Sequence, residues 1–77
     1  MEIRNRKFRE RMKKEGMESI HLEKNSLEGY FYIWADSNSP YEKIIDSLYS
    51  SSILIYSFNQ LSIDKWITEI KKLIKGE

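Results

Sequence analysis

The chain has 77 residues, no cysteine, and 13 basic side chains against 12 acidic ones. This length is enough for one small domain, residues 1–77, with a single core, and it excludes a second domain. The absence of cysteine excludes disulfides and thiolate metal sites as sources of stability. The longest apolar runs, 30–35 and 53–56, are far shorter than the roughly 18 residues of a membrane-spanning helix.

Charge is distributed unevenly along the chain. Residues 1–15 carry seven basic and three acidic side chains, whereas residues 16–77 carry six basic and nine acidic ones. The N-terminus begins with charged residues and lacks the apolar segment of a secretory signal. We therefore expect a cytoplasmic protein that has no membrane partner and whose basic end meets an acidic partner.

The first predicted element is a helix over 3–15, where Arg, Lys, Glu and Met predominate. Gly16 follows at a position where helices commonly end in a left-handed residue. The apolar stripe of this helix is narrow, because only Phe8 and Met12 lie one turn apart, with Ile3 near their edge. Most of its circumference is therefore expected to face water.

Two strands joined as a hairpin are predicted next. Residues 18–23 alternate in polarity, with Ile20 and Leu22 on one face, which is typical of a half-buried strand. Residues 28–35 are rich in aromatic and β-branched side chains and give the strongest strand prediction in the chain. Because both faces of this second strand are apolar, it is expected to be covered on both sides or to expose an aromatic row.

A second helix is predicted from Pro40, with Ser39 as its N-cap and Glu42 completing a capping box. Its apolar side chains recur at helical spacing as far as Tyr49, and the following serines end it. Residues 53–58 then predict a third strand that is apolar on both faces.

The last predicted helix begins after Ser62, which can cap it, with Asp64 in its first turn. Its apolar positions follow the spacing of one helical face, so we expect it to be the main cover of the sheet. The predicted order is α-β-β-α-β-α, an α+β fold in which a three-stranded sheet carries the last two, amphipathic helices on one face. The basic N-terminal helix is expected to pack on the other face or to project outward.

The sequence contains no recognisable catalytic motif. Its one histidine, His21, is expected to face solvent on an edge strand, and to act as a base it would need Asp36 or a nearby serine. The three glycines are scattered, so no phosphate-binding loop is predicted. The segment 36–38 resembles the start of a calcium loop, but Tyr41 and Ser47 occupy the positions of the required Gly and Glu. We therefore predict no enzyme, no catalytic residue, no metal site and no cofactor.

The basic N-terminal helix is the first candidate binding surface. On a helical wheel one side is shared by four basic residues, Arg4, Lys7, Arg11 and Lys14. Such a side can dock on an acidic protein, follow the phosphates of a nucleic acid, or simply remain solvated. Of the two kinds of partner, an acidic protein is favoured.

The second candidate surface is the aromatic row Tyr30, Tyr32 and Trp34, which Tyr56 or Phe58 of the third strand could extend. Aromatic side chains on an open sheet can stack on nucleic-acid bases. A sheet this small, however, is expected to bury both of its faces, either in the core or in a homodimer interface.

Together these features predict a small non-enzymatic binding module that acts through protein–protein contacts. Its expected contact residues are the four basic residues of the first helix and the three aromatic residues of the second strand. The alternative is a nucleic-acid-binding protein that uses the basic helix on phosphates and the aromatic strand on bases. Frequent Tyr, Ile, Lys, Ser and Asn is typical of AT-rich genomes and their phages, which suggests an inhibitor or accessory protein of a phage or mobile element.

Overall fold

The computed structural model describes residues 1–75 and contains three helices and a three-stranded antiparallel sheet of order β1-β2-β3. The elements, in chain order, are α1 (Arg6–Lys14), β1 (Ile20–Lys24), β2 (Phe31–Ala35), α2 (Glu42–Asp46), β3 (Ser52–Ile53), a 3-10 helix (Phe58–Gln60) and α3 (Ile63–Lys75). The predicted α+β fold and its element order are confirmed.

Helix α1 begins three residues later than predicted, because Asn5 caps it. The Asn5 side-chain oxygen accepts a hydrogen bond from the backbone N–H of Phe8 at 3.0 Å. The helix ends before Gly16, whose φ of 77° is the left-handed conformation predicted for it.

The first three residues, of which only Ile3 was predicted as helix, run alongside β1 and extend the sheet at that edge. The N–H of Ile3 donates to the carbonyl of Leu22 at 2.8 Å, and the N–H of Lys24 donates to the carbonyl of Met1 at 2.9 Å. Glu2 pairs antiparallel with Glu23 between these two bonds. The segment occupies backbone groups of β1 that an edge strand would otherwise expose.

Strands β1 and β2 form the predicted hairpin, with a register that runs from Ile20 opposite Ala35 to Lys24 opposite Phe31. The connecting turn is closed by Asn25, whose side-chain oxygen accepts backbone N–H bonds at 2.9 and 3.0 Å. This register places alternate residues of both strands on the same face, so that one face is apolar and the other carries the polar and aromatic residues.

All of the hydrophobic core lies on one face of the sheet. Within residues 1–75 no helix covers the opposite face, so this face is not part of the core, and its burial in a homodimer interface stays a prediction. Helix α1 packs beside α3 over the core face, which is neither of the two positions expected for it. The buried side chains are Phe8, Met12, Met17, Ile20, Leu22, Phe31, Ile33, Ile45, Ile53, Trp66, Ile67 and Ile70.

The Trp66 indole is the centre of this core. It meets Phe31 edge-to-face at 5.0 Å and stacks on Phe58 at 5.6 Å between ring centroids, and Phe58 in turn meets Phe8 edge-to-face at 5.7 Å. The indole N–H donates to the carbonyl of Phe58 at 2.8 Å, so its one polar group is satisfied although the side chain is fully buried.

The same contacts explain why the third strand is much shorter than predicted. Only Ser52–Ile53 pairs with β2, and the chain then turns inward so that Phe58 can reach Trp66. A capping box between Ser57 and Gln60 holds this turn as a 3-10 helix. Stacking of Phe58 in the core therefore takes precedence over continuing the β-ladder.

Helix α2 is also shorter than predicted. The Ser39 hydroxyl accepts from the N–H of Tyr41 at 3.1 Å, but the Glu42 carboxylate accepts from Asn38 rather than closing the capping box on Ser39. Of its apolar residues Ile45 is buried and Ile44 is exposed. Helix α2 is therefore a single turn that is anchored by one core residue, Ile45.

Replacement of Trp66 by Ala should lower the free energy of unfolding by about 3–5 kcal/mol, because it removes a fully buried aromatic side chain and leaves a cavity. Urea denaturation followed by circular dichroism measures this loss. The matched control is Tyr49→Ala, since the Tyr49 side chain is fully exposed and its removal should cost less than about 0.5 kcal/mol. Equal losses in the two variants would show that Trp66 is not the centre of the core.

Candidate functional site

The four basic residues predicted as a contact surface do not share one environment. Arg4 precedes α1 and is exposed, and Lys7 and Lys14 lie exposed on the helix. Arg11 is half-buried against α3. The four residues therefore do not form one uniformly exposed surface, because Arg4 lies outside α1 and Arg11 is half-buried.

Arg11 is engaged in ion pairs that join α1 to α3. Its Nε donates to Glu15 at 3.0 Å, and the same guanidinium also donates to the carboxylate of Asp64. Lys71 of α3 donates to the other oxygen of Glu15 at 2.5 Å. These hydrogen bonds, from Lys71 first and Arg11 second, lower the pKa of Glu15 to about 2, and the bond to Asp64 raises the pKa of Arg11.

The other two arginines of α1 are likewise occupied. Arg9 donates to the carbonyl of Ile20 at 2.9 Å and to that of Glu18 at 2.7 Å, so it fastens α1 to the start of β1. Arg6 pairs with Glu10 one turn further along the helix at 3.1 Å. The fork of donors on each guanidinium suits these multiple bonds.

The lysines of α1 differ from its arginines in their contacts with the rest of the protein. Lys7, Lys13 and Lys14 are exposed, and none of them forms an ion pair with a residue of the described range 1–75. These three lysines and Arg4 are exposed positive charges, and we call them together the basic outer surface.

The predicted aromatic row lies on the open face of the sheet, opposite the core. Trp34 stacks on His21 with 4.3 Å between ring centroids, and its indole N–H donates to Glu23 at 2.8 Å. Hydrogen bonding to the same carboxylate, aided by partial burial, raises the pKa of the Tyr32 phenol. The Tyr30 hydroxyl accepts from Asn25 at 3.3 Å. The row is half-buried by its own polar neighbours and not by a helix.

His21 is not the solvent-facing side chain that was expected, since only 15% of it is exposed. Its Nδ1 lies 2.7 Å from a carboxylate oxygen of Glu2, and its Nε2 lies 2.8 Å from one of Asp36. A neutral imidazole has one N–H, so only the imidazolium form donates to both carboxylates. His21 thus joins the N-terminal segment and the end of β2 to the sheet.

The two predicted sets of contact residues lie on opposite sides of the molecule. The basic outer surface is on α1, which covers the core face of the sheet, whereas Tyr32 and Trp34 lie on the open face. The open face also bears the carboxylates of Glu2, Glu23 and Asp36. These negative charges repel phosphates, so the arrangement does not favour one nucleic-acid strand that contacts both sets.

A third exposed surface was missed by the sequence analysis, and it lies around β3. Leu54 is 71% exposed, Tyr56 is 54% exposed and Tyr49 is fully exposed. Tyr56 and Phe58 do not extend the aromatic row, since Tyr56 lies outside the strand and Phe58 points into the core. A sequence signal for this surface does exist, because residues 47–63 contain no charged side chain in a chain that is 32% charged.

A groove of about 510 Å³ lies beside the β1–β2 turn and is lined by Met1, Ile3 and residues 24–29. Within residues 1–75, no group of three or more His, Asp or Glu side chains is placed to hold a metal ion. In the same part of the chain, no helix is long and apolar enough to cross a membrane.

Comparison with known proteins found no matching family model, no matching curated protein and no matching solved structure.

The Glu15 ion pairs should make stability depend on pH. The folded pKa of about 2 is below the ordinary 4.5, so the stabilisation is complete above about pH 5 and is lost as the pH falls towards 2. The difference in free energy of unfolding between the parent and Glu15→Gln should therefore shrink from about pH 7 to about pH 3. Urea denaturation at the two pH values measures it. An unchanged difference would mean that Glu15 is not held as an ion.

Removal of His21 should loosen the N-terminal segment. In His21→Ala the Glu2 carboxylate loses its partner, so the backbone N–H groups of Ile3 and Lys24 should exchange with solvent deuterium several-fold faster. Exchange measured by NMR tests this. The N–H of Ile33, which donates to the carbonyl of Ser51 just before β3, serves as the internal control and should keep its rate. Uniform acceleration of all three would indicate general destabilisation instead.

Proposed function

We propose that this protein is a small non-enzymatic binding module that docks its basic outer surface on an acidic surface of another protein. The single observation that supports this is that the arginines of α1 have hydrogen-bonded partners in the protein whereas its lysines are exposed to solvent. Arg9 and Arg11 bond to other elements of the fold, and Arg6 forms a surface pair with Glu10 on the same helix. By contrast, Lys7, Lys13 and Lys14 are exposed and form no ion pair within residues 1–75.

Three lysines that are not needed to hold α1 in place are available for an external partner. An ammonium on a flexible stem is a point charge that adapts to carboxylates in many arrangements. Exposed charges of this kind increase the rate of association and orient the two partners, more than they add to the final affinity. An acidic protein surface is the chemical complement of the basic outer surface.

A protein partner is favoured over a nucleic acid because the basic outer surface lacks groups that read bases. The aromatic side chains that could stack on bases are on the opposite side of the molecule, next to Glu23 and Asp36. A nucleic acid on α1 would then be held by phosphate contacts alone, without sequence preference. Blocking an enzyme surface as an inhibitor or accessory protein is one role that suits a module of this size.

Charge reversal in α1 tests the proposal. In Lys7→Glu/Lys14→Glu, capture of the partner from a lysate of the source cells should fall at least tenfold at low salt, because two attractive charges become repulsive. Both side chains are exposed, so circular dichroism should be unchanged. The matched control, Lys43→Glu/Lys65→Glu, makes the same change in net charge at exposed lysines of α2 and α3 and should capture the partner normally.

Nuclease treatment of the same lysate separates the two kinds of partner. A protein that is retained after nuclease by the parent and the control, but not by the α1 variant, supports the proposal. Equal retention by all three proteins would remove α1 from the contact. Capture that disappears with nuclease, together with a roughly 100-fold loss of affinity for a DNA duplex between about 50 and 200 mM salt, would identify a nucleic-acid partner instead.

A further inference from the structure

The open face of the sheet carries aromatic side chains and carboxylates side by side. It is formed by the residues of β1 and β2 that alternate with the core positions, which are His21, Glu23, Tyr32 and Trp34. Glu2 lies on the same face, because it pairs with Glu23 across the outer edge of β1. Neither lysine nor arginine occupies any of these five positions. In the part of the chain that the structure describes, no helix lies on this face.

The carboxylates of this face outnumber the positive groups that contact them. Glu2, Glu23 and Asp36 are the three carboxylates, and their positive neighbours are the His21 imidazole and the N-terminal ammonium, which lies 3.8 Å from Glu23. Even when both neighbours are charged, one negative charge remains in excess. Glu23 also accepts the indole N–H of Trp34, but a neutral donor leaves the charge of the carboxylate in place.

Two of these carboxylates are placed where they repel each other. Glu2 and Glu23 are directly opposite residues of an antiparallel pair, a position in which Cβ atoms are about 5 Å apart. Like charges in this position destabilise the pairing of the strands. His21 bonds to Glu2 and not to Glu23. A further cation beside Glu23 would therefore lessen the repulsion and stabilise this edge of the sheet.

The aromatic rings beside Glu23 are suited to the same kind of ligand. The face of a Trp or Tyr ring attracts an ammonium or guanidinium group that lies within about 6 Å of its centroid. Trp34 stacks on His21 with 4.3 Å between centroids, and both Trp34 and Tyr32 donate hydrogen bonds to Glu23. Both rings are partly exposed. Because these contacts already hold the rings, little conformational freedom is lost when a ligand binds.

We propose that the open face binds a basic segment of a partner protein, with an arginine side chain against Trp34 and Tyr32 and paired with Glu23. A planar guanidinium can stack on an aromatic ring and donate to a carboxylate at the same time, which the ammonium of lysine does less well. A second basic residue of the segment pairs with Asp36, whose side chain is 56% exposed. This face differs from the basic outer surface in position and in charge, so the two surfaces bind different partners.

An NMR titration of the isotopically labelled full chain with a synthetic peptide of alternating arginine and glycine tests the proposal. Two indole N–H signals report on the two sides of the sheet, since Trp34 lies on the open face and Trp66 in the core. The Trp34 signal should shift until it saturates, whereas the Trp66 signal should not move. A peptide with glutamate in place of arginine should move neither signal. Added salt should weaken the binding of the arginine peptide.

The variant Glu23→Gln locates the site. Glutamine keeps a side-chain oxygen that can accept the indole N–H of Trp34, but it has no charge. The affinity for the arginine peptide should therefore fall about fivefold. The matched control is Asp46→Asn, which removes the same charge from an exposed residue of α2 and should bind the peptide as the parent does.

A Trp34 signal that stays in place when the arginine peptide reaches millimolar concentration would overturn the proposal. An equal shift with the glutamate peptide would do the same, as would an unchanged affinity in Glu23→Gln. A Trp34 signal that moves when the protein alone is concentrated would show that a second copy covers the face, which also contradicts the proposal. None of these outcomes depends on the lysines of α1, so this proposal and the proposed function can fail separately.

Discussion

Burial of the Trp66 indole is the interaction on which the rest of the structure depends. The chain is long enough for one core only, and that core is assembled around a single aromatic side chain from α3. Phe58 leaves the path of the third strand to stack on this indole, which limits β3 to two residues. Phe8 of α1 packs against Phe58, which brings the basic helix over the same face of the sheet as α3. The open face is a consequence of gathering the apolar side chains on one side of the sheet.

Because the apolar side chains are buried on one side of the sheet, some charged side chains form bonds within the fold and others remain exposed to solvent. Arg9 and Arg11 bond to β1 and α3 because α1 lies between them, so they have a structural role. Lys7 and Lys14 point away from these neighbours and keep their charge in solvent. On the open face the carboxylates of Glu23 and Asp36 are bound by Trp34 and His21, which half-buries the aromatic row without any helix. The exposed lysines of α1 and the aromatic row are therefore on different parts of the surface.

Local signals in the sequence predicted the helices and the hairpin well. Gly16 ended α1, Ser62 capped α3 and the alternation of Ile20 and Leu22 identified the buried face of β1, because each of these depends on near neighbours in the chain. The third strand was overestimated, since its composition is equally suited to a strand and to a segment that delivers Phe58 to the core. Ile3 was assigned to α1 and the pairing of residues 1–3 with β1 was not predicted, because nothing local indicates a partner nineteen or more residues away in the chain.

By itself the sequence determined the type and order of the elements, the apolar face of α3 and the concentration of positive charge in α1, because composition and periodicity act over a few residues. Only the tertiary structure decided which charges are free. Arg11 and Lys7 share one side of a helical wheel, yet Asp64 reaches the first and not the second, which no spacing within α1 can reveal. The exposure of the aromatic row was likewise decided by packing, since Tyr32 and Trp34 would suit a buried face equally well. They lie on the open face because three helices together cover only one side of so small a sheet.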